Sequence, residues 1–418
     1  MRILIVHDRK EVAAELKRVV TETSEALDKC DVAIDYQSAR SALAEHLYDL
    51  LILDLTLPIK TTIGQPSFEN VHALLEELFN EGSLNPPGDI IGITRDEEAL
   101  RLVENRLGPH LMVTISEDPN GAWKSYLKDK LSYAKRAAKT RALSAARHHD
   151  VDALIVTAMD IEMRPYEGAF EMRQAKHFRG ATEFAFTDRN DEIRRGVAYS
   201  IGKSGQASAA SLTQALITFY RPRLAAMSGY CGGVKGKLNL GDLVFFEAAY
   251  AWDYGKWEEI PGKPPTTKFC PRPDPIGIAN SSLHSAARRF VSSNLPNDQN
   301  LVRRVSEASK GKLSGFKIHL KPAASGSAVV AADDIVARIG GLNDSIWAVD
   351  MEAYGFYHAA EYTRVAQPDF VCVKAVSDFS NGEKGDELHD ACSLLSAEAV
   401  VRLLTRYWDF SEKSCTIN

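Results

Sequence analysis

The chain has 418 residues, and at about 150 residues per domain that length predicts two to three domains, not one small module. Hydrophobic residues make up 45 % and charged residues 25 %, a balance that supports a packed core and excludes global disorder. Fifty basic against 56 acidic side chains leave a net charge of −6, which recommends neither nucleic acid nor a membrane surface as a partner. No apolar run reaches the roughly 18 residues of a membrane-spanning helix. The start, MRILIVHDRKEV, reads as a buried first strand and not as a signal peptide, so a cytoplasmic location is expected. Six scattered cysteines without a CxxC pair indicate neither a zinc site nor a disulfide framework.

In chain order, short β-rich runs at 2–6, 32–36, 50–53, 90–93 and 112–115 alternate with amphipathic stretches. That alternation predicts βαβ units on a parallel sheet, a flavodoxin-like domain over 1–121. Ligands of such a sheet lie beyond the carboxyl ends of its strands, where Asp8, Asp54 and Thr94 fall. Residues 123–150 hold no Gly or Pro and repeat apolar residues at Trp123, Leu127, Leu131 and Ala134, which predicts a linker helix, 122–150. Its eight basic residues read as a solvated face, not a nucleic-acid footprint.

A second, larger α/β region, 151–418, opens with the strand that starts at Ala153. Further strands are expected at 196–201, 224–227, 242–250, 316–321 and 370–375, and helices at 206–220, 276–294, 352–364 and 388–408. The six prolines of 255–275 predict a long loop, either a lid or an irregular excursion.

An aspartate after each of two strands and a threonine after a third form the set a metal-assisted phosphoacceptor needs: a nucleophile, a Mg²⁺ ligand and a hydroxyl that reads the product. The words ILIVHDRKE and LLILDLTLP resemble the response-regulator receiver domain over roughly 1–120. The resemblance implies Asp54 as phosphoacceptor, Asp8 with Asp54 as Mg²⁺ ligands, Thr94 as switch hydroxyl and a cognate histidine kinase as partner. Two positions depart from it: His7 replaces an acid, and Asp118-Pro119 replaces the usual Lys-Pro. A degenerate receiver used for docking is therefore the alternative to a phosphorylatable switch.

Cutting a purine–ribose bond passes through an oxocarbenium-like sugar and wants an acid at the base, a carboxylate on the ribose hydroxyls and a group that positions the nucleophile. The second region offers Asp378, Glu352 and Glu162 near the ends of apolar runs. The words TAMDIEM, SGYCGGVKGKLNLGDLV, ASGSAVV, VDMEAYG and VKAVSDFSNG, in that order, resemble the nucleoside phosphorylase and nucleosidase superfamily over about 152–408. The resemblance implies that Asp378 protonates purine N7, that Glu352 binds the ribose hydroxyls and that Met351 packs on the sugar. It further implies that Tyr230, Gly232 and Gly233 line the site and that Val329 and Val330 flank the base. Phosphorylases of this superfamily carry an arginine where this chain has Glu162, so the glutamate points to hydrolysis, with Arg164 two residues on. No cofactor is expected for this domain.

The turn IGKSG at 201–205 precedes a helix and offers backbone N–H groups and Lys203 to anions, with Arg164 and Lys384 as further cations for a charged 5′ group. The order receiver, helix, nucleosidase resembles the effectors of the Detocs antiphage defence system, in which the nucleosidase domain cleaves ATP to adenine and ribose 5′-triphosphate. A substrate among ATP and other adenine nucleotides or nucleosides, and a homo-oligomer (dimer or hexamer), are what the resemblance implies. The alternatives are a methylthioadenosine/S-adenosylhomocysteine nucleosidase, a purine nucleoside phosphorylase and a non-catalytic nucleotide sensor.

Overall fold

The strand β1 (Arg2–Val6) is followed by α1 (Lys10–Glu22), β2 (Lys29–Ala33), α2 (Tyr36–Glu45), β3 (Leu50–Asp54), α3 (Phe68–Glu76), β4 (Ile90–Thr94), α4 (Glu97–Leu107), β5 (Val113–Ser116) and α5 (Trp123–Arg147). In this computed structural model residues 1–23, 29–107, 113–117, 120–261, 266–381 and 385–411 are described. The chain divides into two compact units, Met1–Ser144 and Ala145–Asn418.

The first unit is a parallel sheet in the order β2-β1-β3-β4-β5. Its central strands are buried on both faces, which is why they read as apolar runs and not as alternating ones. Leu4, Val6, Leu51 and Leu53 point into one core, and Ile3, Ile5, Ile52, Ile91 and Ile93 into the other. The edge strand β2 ends at Ala33, three residues before the expected end, because Asp35 leaves the sheet to cap α2 and accepts the Ser38 N–H at 2.8 Å. Helix α5 was expected as a linker, yet Trp123, Leu127 and Leu131 pack in the second core of this sheet, so its first turns belong to the first unit. Met112 and the Asp118-Pro119 pair lie outside the described residues.

The second unit runs β6 (Val151–Thr157), α6 (Asp160–Glu167), β7 (Arg173–Gln174), β8 (Thr182–Thr187), β9 (Ile193–Ser200), α7 (Gln206–Tyr220), β10 (Pro222–Gly233), β11 (Leu243–Ala251), β12 (Gly255–Ile260), β13 (Thr266–Pro271), β14 (Ile276–Gly277), α8 (Ser281–Val291), α9 (Gln299–Ala308), β15 (Ile318–Ser325), α10 (Asp333–Leu342), β16 (Ala348–Asp350), α11 (Ala353–Glu361), β17 (Asp369–Asp378) and α12 (His389–Arg402). Strand β10 pairs in parallel with β6 and β17, and β11 pairs with both β15 and β17. Since β15 also pairs with β16 and β16 with β10, five strands close on themselves. Within 255–275, expected as a loop, β12 and β13 instead pair as antiparallel strands, with Trp257 against Phe269. Residues of β12 are exposed on both faces, so no apolar alternation marks the strand in the sequence.

Candidate active site

Strands β6, β10 and β17 run parallel and bring their carboxyl ends to one side of the sheet, the position where open α/β sheets bind ligands, and there β16 pairs antiparallel with the last residues of β10. Just past β6, Glu162 lies in the first turn of α6 and reaches back along the chain. Its Oε2 accepts the N–H groups of Ala158 (2.8 Å) and Met159 (2.9 Å), and its Oε1 that of Tyr230 on β10 (3.2 Å). Burial raises its pKa to about 7 against the opposing pull of Lys374, so the carboxyl changes charge near neutrality. The close approach depends on Gly229, whose φ is +153°: a Cβ there would meet Glu162 Oε1 at 2.1 Å.

Glu352, past β16, is held from two sides. Its Oε2 accepts from Lys374 Nζ at 2.7 Å, and its Oε1 accepts the Gly205 N–H at 3.0 Å, from the turn IGKSG. Lys374 is fully buried in β17 and also pairs with Asp350 at 2.8 Å. Burial opposes its charge, but Asp350 and Glu352 outweigh burial and hold the ammonium well above the usual lysine range. Asp350 in turn accepts the N–H groups of Glu352 (3.2 Å) and Ala353 (2.9 Å), which satisfies donors at the start of α11 and pins Glu352.

Asp378 ends β17. Its Oδ2 accepts from Ser377 Oγ at 2.9 Å and its Oδ1 from the Ser380 N–H at 2.7 Å. Ser380 is in the left-handed region (φ 56°), a conformation a non-glycine residue keeps only when its surroundings enforce it. Opposite, β10 shifts register between Cys231 and Gly232, and a Cβ on Gly232 would meet Ser380 Oγ at 1.8 Å. The bulge and the glycine together make room for the turn that presents Asp378.

Glu162, Glu352 and Asp378 line one cavity of about 300 Å³ with Met351, Tyr230, Gly232, Val329 and Val330. Gly233 is absent from its wall and packs toward Val376. Arg164 and Lys203 are exposed and do not line it, although Ser204, next to Lys203, does. Lys384 lies outside the described residues. Sequence reasoning missed Lys374, Asp350, Ser380, His389 and Asp386. A lysine inside VCVKAVSD was the available signal, since a charge in a buried strand requires partners. His389 stacks on Tyr230 with centroids 3.9 Å apart and planes 9° apart, giving the cavity an aromatic wall.

In the first unit Asp54 is buried, and burial raises its pKa to about 6. His7, also buried, places Nδ1 3.1 Å from Asp54 Oδ2 and 3.2 Å from Asp8 Oδ1. Thr94 ends the adjacent strand, and its Oγ1 accepts the Asp96 N–H at 3.0 Å. Past β5 comes Glu117, a buried carboxylate bound by Arg9 (3.0 Å) and Arg95. Mg²⁺ selects oxygen ligands in near-octahedral geometry and retains several waters. A buried imidazole between the two aspartates does not fit that ion.

Among known proteins, the uncharacterized protein y4jS of Sinorhizobium fredii is 27 % identical over 426 residues, covering 97 % of this chain and all of that one. The ATP nucleosidase Cap17 of Escherichia coli is 23 % identical over 284 residues, 62 % of this chain, and the chain spans about half (52 %) of that relative's length. The 5′-methylthioadenosine/S-adenosylhomocysteine nucleosidase of Colwellia psychrerythraea, solved with adenine, superposes with a TM-score of 0.47 at 18 % identity, over 62 % of this chain and 96 % of that one. Residues 145–408, the span that carries Glu162, Glu352 and Asp378, match the family model, and the chain belongs to the phosphorylase superfamily.

Proposed function

We propose that the chain is a hydrolytic nucleosidase that cleaves the N-glycosidic bond of an adenine nucleotide, with ATP as substrate and adenine and ribose 5′-triphosphate as products. The observation that carries the reading is the convergence of Glu162, Glu352 and Asp378 on one cavity. Asp378 gives a proton to purine N7, so the base leaves neutral as the C1′–N9 bond breaks. Glu352, oriented by Lys374 and the Gly205 N–H, accepts the ribose hydroxyls with its remaining lone pairs. Glu162 takes the proton of the water whose oxygen bonds to C1′, a role suited to a carboxyl that titrates near 7. Phosphorolysis is disfavoured because Arg164 does not line the cavity and a phosphate dianion would face carboxylates.

ATP is supported by the similarity to Cap17, a protein named as an ATP nucleosidase, and by the chain position of Lys203 next to Ser204, which lines the cavity. A second reading, a substrate with an uncharged 5′ group, is favoured by one feature. Among the described residues no Lys or Arg lines the cavity, whereas Asp386 does. Incubating the protein with ATP, AMP, adenosine and methylthioadenosine and separating free adenine by chromatography distinguishes the two. The first unit is read as a degenerate receiver with a docking role, and antiviral ATP depletion as the setting. Cells expressing the Asp378→Asn variant are expected to lose any protection against phage that the wild type confers.

A further inference from the structure

We propose that His7, Asp8 and Asp54 form a histidine–dicarboxylate centre that takes a borderline transition-metal dication such as Zn²⁺ in preference to Mg²⁺. One ligand atom from each of the three residues lies within 4.8 Å of the other two. The separations from His7 Nδ1, 3.1 Å to Asp54 and 3.2 Å to Asp8, approach the edge of a tetrahedron around zinc, about 3.3–3.6 Å for metal–ligand bonds near 2.0–2.2 Å.

The proton on the imidazole decides what Nδ1 offers. Nε2 faces Glu117 Oε1 at 3.4 Å, and the Arg9 N–H approaches Nδ1 at 3.2 Å, so the proton belongs on Nε2 and the lone pair on Nδ1. That lone pair accepts the Arg9 N–H at 3.2 Å and lies beside two carboxylate oxygens, and a cation among the three groups would take the place of that backbone donor. Glu117, anchored by Arg9 and Arg95, then plays the part of the outer carboxylate that orients a metal-binding histidine. Both arginines are spent on Glu117. Among the described residues no Lys or Arg pairs with Asp8 or Asp54, and a dication supplies the missing charge. Imidazole nitrogen suits zinc-like ions, whereas carboxylate and water suit Mg²⁺.

The test uses the full chain, stripped with a chelator and titrated with Co²⁺, whose visible absorption reports binding and geometry. One Co²⁺ per chain is expected, displaced by equimolar Zn²⁺ and retained against Mg²⁺ in roughly hundred-fold excess. Glu117→Gln should weaken binding about 10–100-fold. His7→Asp should weaken Co²⁺ by at least about ten-fold and let Mg²⁺ compete. Asp8→Asn, at a partly exposed position that tolerates change, should also lose the ion. Mg²⁺ displacing Co²⁺ at equal concentration from the wild type, or unchanged Co²⁺ binding in folded Asp8→Asn, would overturn the proposal.

Discussion

Glu162 ties folding to catalysis through a single proton. Its folded pKa of about 7 lies above its ordinary 4.5, so the folded state holds the proton over that interval. The stabilisation from this group is complete below 4.5 and is lost as pH rises through about 7. Catalysis has the opposite demand, because only the ionised carboxylate accepts a proton from water. The ratio kcat/KM is therefore expected to fall as pH drops through about 7, and a pH–rate profile checks it. Glu162→Gln should lower kcat by about 10²–10⁴, the usual span of general base catalysis. It should also cost on the order of 1–3 kcal/mol, because one amide group would meet the backbone donors that the two oxygens now satisfy. Lys374→Met leaves Asp350 and Glu352 buried without their cation, for an expected loss of about 3–5 kcal/mol in a denaturation midpoint series. Lys374 was legible only as an oddity in an apolar word, since its partners at the end of β16 and just past it are 24 and 22 residues away and the pairing exists only once the sheet has formed.

At the scale of elements, what could be read was what both faces of a strand bury. The runs Leu50–Asp54 and Ile90–Thr94 are buried at every position and were placed within a residue of their observed bounds. Strand β16, three residues long, has too little chain to show a pattern, although it delivers Asp350 and leads straight to Glu352. Helix α5 shows the converse: its apolar spacing was read correctly, but the sequence does not say which surface that stripe meets. Because Leu127 is fully buried against the first sheet, Leu127→Ala should destabilise the first unit by about 2–5 kcal/mol, measured by hydrogen exchange of β1 and β4 amides. The end of β5 places Glu117, not a cation, near Asp54's imidazole partner. A small phosphodonor such as acetyl phosphate with Mg²⁺ should accordingly leave Asp54 unlabelled. Labelling lost in Asp54→Asn would restore the phosphoacceptor role.

For the whole molecule, the words TAMDIEM, SGYCGG, VDMEAYG and VKAVSD are spread over more than 200 residues, yet the residues they carry meet around one cavity. Order and spacing made that legible, because each word ends a strand of one sheet. The polar 5′ side was not legible. Lys203 and Arg164 are cations in sequence proximity to site residues but are exposed and do not line the cavity, and proximity along the chain does not set side-chain placement. If ATP is the substrate, Lys203→Ala should reduce ATP cleavage while leaving adenosine cleavage near its original rate. The charge-assisted bonds at stake are worth about 1.5–3 kcal/mol each. The most direct measurement of the central claim is free adenine released from ATP, with and without inorganic phosphate, by wild type and by Asp378→Asn. The account predicts adenine with ribose 5′-triphosphate at a rate indifferent to phosphate, falling about 10²–10⁴-fold in the variant. No adenine from any adenine nucleotide or nucleoside, or a phosphate-dependent reaction yielding a ribose 1-phosphate, would contradict it.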